Sequence, residues 1–181
     1  MKDLSKHTKI VALMIALAAL SRLLPHPYNF TPIGAMALFG GYAFQNRKYA
    51  FMLPLAAMLL SDIFLEIFFG WGFHSTTPFV YGSFVLITFI GMFLRRLPSD
   101  YGTFVSITVA PMISAILFFT ITNFGVWLGG SYGYSLAGLA NCYVMAIPFF
   151  YGTVLGDVFY SVVLFGSYAI IKWTMPALIK N

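Results

Sequence analysis

Charge is what this sequence has least of. Only 8% of its 181 residues are Asp, Glu, Lys or Arg, where a water-soluble domain carries about a quarter. So few charges cannot cover a surface in water, and a soluble globular domain is excluded. Cys142 is the one cysteine, which rules out an intrachain disulfide. The net charge of +5 comes from basic residues spread thinly along the chain. No basic stripe with interleaved aromatics runs through them, so nucleic acid is not an expected partner. The phosphate loop G-x-x-x-x-G-K-[ST] is missing, as are H-E-x-x-H and G-x-S-x-G, which removes ATP hydrolysis by that loop and the common zinc-protease and serine-hydrolase chemistries. No nucleophile and base stand at a defined spacing, so no enzyme and no cofactor are expected.

What the chain has instead is apolar length. Hydrophobic residues make up 60% and aromatic residues 19%, and the mean hydropathy is +0.88. The apolar residues come in long runs rather than in alternation, which favours membrane helices over a barrel, because every backbone group in lipid must be satisfied internally. The prediction is an all-α, polytopic membrane protein with six transmembrane helices in a single integral domain, residues 1–181. The spans fall at about 8–24, 31–45, 49–69, 79–95, 102–128 and 148–173. About 20 helical residues cross the ~30 Å hydrocarbon core, which makes the second span short. Gly70-Trp71-Gly72, Leu97-Pro98-Ser99-Asp100 and Gly129-Gly130-Ser131-Tyr132-Gly133 read as breaks. Residues 136–147 are expected as a separate short helix lying on or re-entering the membrane.

These spans put Lys2, Lys6, Lys9, Arg47, Lys48, Arg95, Arg96, Lys172 and Lys180 on one side. By the positive-inside rule that side, with both termini, is cytoplasmic. The start also has features of a cleaved signal peptide, with Ala16-Leu17-Ala18 as a small-x-small site. The apolar run continues to Leu24, which favours a retained first span.

On this topology the scarce polar residues gather in the outer half. Arg22, His26 and Asn29 end the first span and lead into the second, among Pro25, Pro27 and Pro32. Asp62 and Glu66 share one helical face in the third span, Asn123 and Trp127 one in the fifth, and Asp157 lies in the sixth. A carboxylate inside a membrane helix costs ~2.5–3.5 kcal/mol at the centre and so faces a cavity or a partner. We therefore expect an outward pocket formed by Arg22, His26, Asn29, Asp62, Glu66, Asn123, Trp127, Tyr151 and Asp157. Trp127 and Tyr151 would stack on a ring. The excess of carboxylates over arginine points to a cationic or metal-bearing small-molecule ligand, or to a proton held on one carboxyl. No resident metal is expected, and His74 and Cys142 would be the first ligands to consider for one. Ala12 and Ala16, like Ala37 and Gly41, form small-xxx-small pairs that permit close helix approach within the protein or to a partner.

Several stretches together resemble a known family: Arg22-Leu23-Leu24-Pro25-His26-Pro27, Asn29-Phe30-Thr31-Pro32-Ile33-Gly34-Ala35, Ala37-Leu38-Phe39-Gly40-Gly41, Ser61-Asp62, Thr122-Asn123-Phe124, Val126-Trp127, Gly138-Leu139, Cys142-Tyr143, Ile147-Pro148-Phe149-Phe150 and Gly156-Asp157. The resemblance is to an uncharacterised family of small prokaryotic integral membrane proteins and covers nearly the whole chain. In size and topology that family is similar to the substrate-binding S-components of energy-coupling factor (ECF) transporters. That likeness implies a fold of six helices in the prokaryotic inner membrane and uptake of a vitamin or metal-containing cofactor. It also implies a transmembrane coupling protein with ATPases, docked through the Ala12 and Ala16 pair. Three other readings remain: a self-contained carrier relaying protons through Asp62, Glu66 and Asp157; a structural or assembly protein without a ligand; and a membrane enzyme using Cys142, His74 or the carboxylates.

Overall fold

The computed structural model describes residues 5–179 and is all-α, without a strand among them. The order is α1 (Lys6–Leu20), a 3-10 turn (Ser21–Leu23), α2 (Ile33–Ala43), α3 (Arg47–Phe69), α4 (Thr77–Leu94), α5 (Ser99–Ile107), α6 (Val109–Leu128), α7 (Leu136–Thr174) and α8 (Pro176–Ile179). Four helical stretches are long and apolar enough to cross a membrane: Arg47–Phe69, Thr77–Leu94, Gly102–Leu128 and Leu136–Thr174. The ends of the helices are capped by local chemistry. Ser5 accepts from the Thr8 amide and Asn46 from the Lys48 amide, while Gly70, with φ 73°, closes α3 in a left-handed conformation that its lack of a Cβ permits.

The sequence-based spans are corrected in two places. The second is an 11-residue helix, about 16 Å long, or half the hydrocarbon thickness. An irregular strap, residues 24–32, precedes it, and in the strap Asn29 takes a φ of 58°. The expected span 102–128 is present as the stretch Gly102–Leu128, with one break at Thr108 between α5 and α6. Pro111 explains the break, since it has no N–H for the Ile107 carbonyl and its ring crowds that turn. The short helix expected at 136–147 is not separate. It runs on through Pro148 into one 39-residue helix, α7, because one proline deletes one backbone bond and leaves the others of its turn in place. Lys2 and Lys180 lie outside the described residues.

α2 is the centre of the molecule. Of its residues only Tyr42 is not buried, and α1, α3, α4, α6 and α7 all pack on it. Such a position needs close approach. A Cβ on Gly41 would strike the Thr88 backbone of α4, and one on Gly91 would strike the Leu38 carbonyl of α2. The Ala37/Gly41 pair thus serves packing inside the protein. At one end of the bundle His7 bonds the Tyr168 hydroxyl at 2.9 Å and Arg95 donates to the Phe44 carbonyl at 2.6 Å. Lys6, Arg47, Lys48, Arg96 and Lys172 belong to the same helix ends. The opposite end carries Arg22, Asp62, Tyr81 and the start of α2.

Candidate functional site

At that second end, the polar side chains come from helices that would otherwise be plain apolar spans. Arg22 leaves the 3-10 turn and reaches α3. Its Nη2 lies 2.7 Å from Asp62 Oδ1, and Nη1 donates to the Ser61 hydroxyl and, at 3.5 Å, to the Met58 carbonyl. From α4, the Tyr81 hydroxyl donates to Asp62 Oδ2 at 2.8 Å. Both oxygens of Asp62 are therefore engaged, and the residue is only 3% exposed. A buried carboxylate with both a guanidinium and a phenol as partners avoids most of the cost of leaving water.

Asp157 has a different partner. Pro32 caps α2 without a side-chain hydrogen bond, and the carboxylate of Asp157, crossing from α7, accepts from the Gly34 and Ala35 amides instead. The first amides of a helix carry a partial positive charge and lack partners of their own, so an acid there is stabilised. Gly34 has no side chain to obstruct it, and a Cβ there would overlap the carboxylate. The strap follows the same logic. Gly152 and Gly156 of α7 face the Tyr28 and Thr31 backbone, where any Cβ would collide.

Between these groups lies a cavity of about 470 Å³. The strap supplies His26, Tyr28, Asn29 and Thr31, α3 Met58 at its middle and Asp62 one turn on, the following turn Trp71 and His74, α4 Thr77 and Tyr81, α6 Phe118, and α7 Thr153 and Asp157. A second cavity of about 360 Å³ adjoins it, sharing Tyr28, Asn29, His74, Val80, Phe118 and Thr153 and adding Thr122, Asn123, Phe119, Phe149 and Phe150.

Of the residues expected in the pocket, Arg22, His26, Asn29, Asp62 and Asp157 line the first cavity and Asn123 the second. Glu66, Trp127 and Tyr151 line neither. The Glu66 Oε2 accepts from the Gly72 and Phe73 amides at 2.9 and 3.1 Å, folding the turn after α3 back onto that helix. Trp127 donates to the Gly133 carbonyl at 2.9 Å and packs on Phe124 and Tyr134. Tyr151 is 69% exposed. His74 is at the wall, with Nδ1 2.8 Å from the Thr77 hydroxyl, whereas Cys142 is buried and donates to the Asn123 carbonyl at 3.4 Å. Among the described residues no three His, Cys, Asp or Glu side chains gather as a metal site. Ala12 is half-buried and Ala16 exposed on α1, beside exposed Leu13, Leu17 and Leu20.

Sequence reasoning missed Tyr81, Thr153 and Phe118. The only signal for Tyr81 was its position, one helical turn inside α4 at the level where Asp62 nears the end of α3. Tyrosine in an apolar run otherwise reads as core.

With this geometry in hand, the chain is assigned by comparison. It belongs to the family of unknown function DUF6580, whose model matches residues 2–178. No curated protein and no solved structure matches it.

Proposed function

We propose that this member of DUF6580 is a membrane-embedded substrate-binding component that takes up a small micronutrient, a vitamin or metal-containing cofactor, through an outward-facing cavity. The observation that carries the reading is the cavity of about 470 Å³, placed away from the basic helix ends and lined by polar side chains from the strap, α3, α4 and α7. Small-molecule sites are concave, largely apolar and furnished with a few convergent polar groups. In this reading the chain crosses the inner membrane of a prokaryotic cell six times, α1 and the 3-10 turn forming the first crossing and the strap with α2 the second. The basic ends and both termini face the cytoplasm. A non-helical strap at membrane depth is tolerable where it lines a cavity. The protein performs no chemistry on the ligand. Delivery inward uses a transmembrane coupling protein with ATPases, as the likeness to ECF S-components implies, docked on α1 at Ala12 and Ala16.

Native mass spectrometry of gently purified protein tests the reading. It predicts a stoichiometric small molecule, retained by the wild type and lost from Asp157→Asn and Asn29→Ala variants. If no preparation carries a ligand and the variants only melt earlier, the uptake reading is wrong.

One observation favours a second reading, that of a structural or assembly protein. Asp62 and Asp157 both have partners within the chain, so their presence is accounted for by packing alone. That reading predicts stability losses from their substitution and no saturable ligand.

A further inference from the structure

The basic end of the bundle gathers charge more tightly than sidedness requires. Arg95 closes α4 and donates to the Phe44 carbonyl at 2.6 Å, two residues before Asn46 caps α3. That bond brings the end of α4 against the start of α3. Arg47, Lys48, Arg95 and Arg96 therefore form one cluster at two adjoining helix ends, and all four are exposed. No carboxylate answers them. Among the described residues the carboxylates are Asp62, Glu66 and Asp157, and all three belong to the opposite end. Within those residues the side chains of Arg47, Lys48 and Arg96 make no hydrogen bond or ion pair.

The positive-inside rule asks only that cations stay on one side of the membrane. It does not ask for four of them at one spot. Arg95 and Arg96 suit the negative end of α4, but Arg47 and Lys48 open α3, where the first amides already carry partial positive charge and the first turn holds no acid. An anion bound there would relieve both repulsions. The neighbouring surface says what carries the anion. On α3 Phe51 lies one turn beyond Arg47, and on α4 Phe93 and Phe89 lie one and two turns before Arg96, so each row shares a face with its cation. Phe51 and Phe89 meet across the two helices with ring centroids 5.0 Å apart. Phe89 and Phe93 are exposed and Phe51 half-buried. An apolar seam thus leads away from the cations along the two spans.

We infer that Arg47, Lys48, Arg95 and Arg96 bind the phosphate headgroup of an anionic phospholipid whose acyl chains lie along the Phe51–Phe89 seam. Guanidinium forks match phosphate oxygens two at a time, and Lys48 adds a compact charge. A soluble acidic partner would meet the cations without using the seam. The site is independent of the cavity at the other end and holds whether or not that cavity takes up a ligand.

Phosphatidylglycerol, phosphatidylcholine and inorganic phosphate are each titrated into purified full-length protein in a neutral detergent, with thermal stability and lipid retained in native mass spectrometry as readouts. Phosphatidylglycerol is expected to bind about tenfold tighter than phosphatidylcholine, which brings its own cation, and inorganic phosphate to shift nothing. Arg47→Gln with Arg96→Gln abolishes that preference, while Arg47→Lys with Arg96→Lys, which keeps the charge, retains most of it. Lys6→Gln with Lys172→Gln removes the same charge from the same end and leaves the preference within about twofold. Equal losses in the two Gln pairs overturn the inference, because the lipid then answers only the general potential of that end. Phosphatidylglycerol binding no tighter than phosphatidylcholine overturns it too. Stabilisation by inorganic phosphate equal to that by lipid would make the ligand a free anion, and soluble polyglutamate that outcompetes the lipid would make the cluster a docking face for an acidic protein. Either result defeats the lipid assignment. If the Gln pair does not fold, Arg96→Gln alone is expected to lose about threefold and decides in the same way.

Discussion

At the scale of single residues, the Arg22–Asp62–Tyr81 group shows what the membrane demands of a charge. Removing one partner strands the other in a medium that cannot hydrate it. Asp62→Asn is expected to lower stability by about 3 kcal/mol, measured by thermal or chemical unfolding in detergent. The double replacement Arg22→Met with Asp62→Leu recovers most of that loss, because no lone charge is left behind. Tyr81→Phe costs less, about 1 kcal/mol, since Asp62 keeps the guanidinium. If all three variants cost the same, the group is not coupled. The prominence of Arg22, Asp62 and Asp157 was legible in the sequence because charge is so rare there. The partner of Asp157 was not, since backbone amides leave no mark on a residue pattern. Glu66 reads identically to Asp62, four positions away, and the difference between them depends on a loop that folds back six residues later.

Elements owe their shapes to a few small or rigid residues. Gly41 lets α2 and α4 touch backbone to backbone, so Gly41→Ala is expected to cost about 2 kcal/mol by overpacking. Gly82 lies in the same α4 helix with open space around its Cα, and Gly82→Ala is expected to be neutral or to stabilise by up to about 1 kcal/mol. A matched pair of unfolding curves separates the two, and equal effects would contradict the crossing described. Pro111→Ala restores a donor for the Ile107 carbonyl and should straighten α5 onto α6. Spin labels placed on the two helices, read by distance measurement, report the change. The long apolar runs made α3 and α4 readable to within a few residues. The break at Thr108 and the continuity through Pro148 were not, because a proline three residues into a helix and one in its middle look alike without the neighbouring helices. The shortness of the second span was visible as a run of only about fifteen residues.

For the whole molecule, the division of charged helix ends from polar cavity predicts sidedness. In a Cys142→Ser background, Lys48→Cys and Arg96→Cys are expected to react with a membrane-impermeant maleimide only in inside-out vesicles. Tyr28→Cys should react only in intact cells with the outer barrier opened. Reaction of Lys48→Cys and Tyr28→Cys from the same side would refute the arrangement. The native Cys142, 2% exposed, should stay unreactive in folded protein and label at once after denaturation.

The half-length α2 also dictates how the protein can be made. Eleven apolar residues are too few to lodge in a bilayer as a span of their own, and the strap before them leaves backbone groups that lipid cannot satisfy. The Asp157 carboxylate that caps α2 and the Gly152 and Gly156 surface that seats the strap belong to α7, which leaves the ribosome after α2, α3, α4, α5 and α6. A nascent chain therefore holds its future centre in an unfinished state until α7 arrives. Chains arrested before Gly152 should be rapidly cleared by membrane proteases, and chains arrested well beyond Lys172 should survive. Early residues wait for late ones, and α2 is completed only once α7 has followed it.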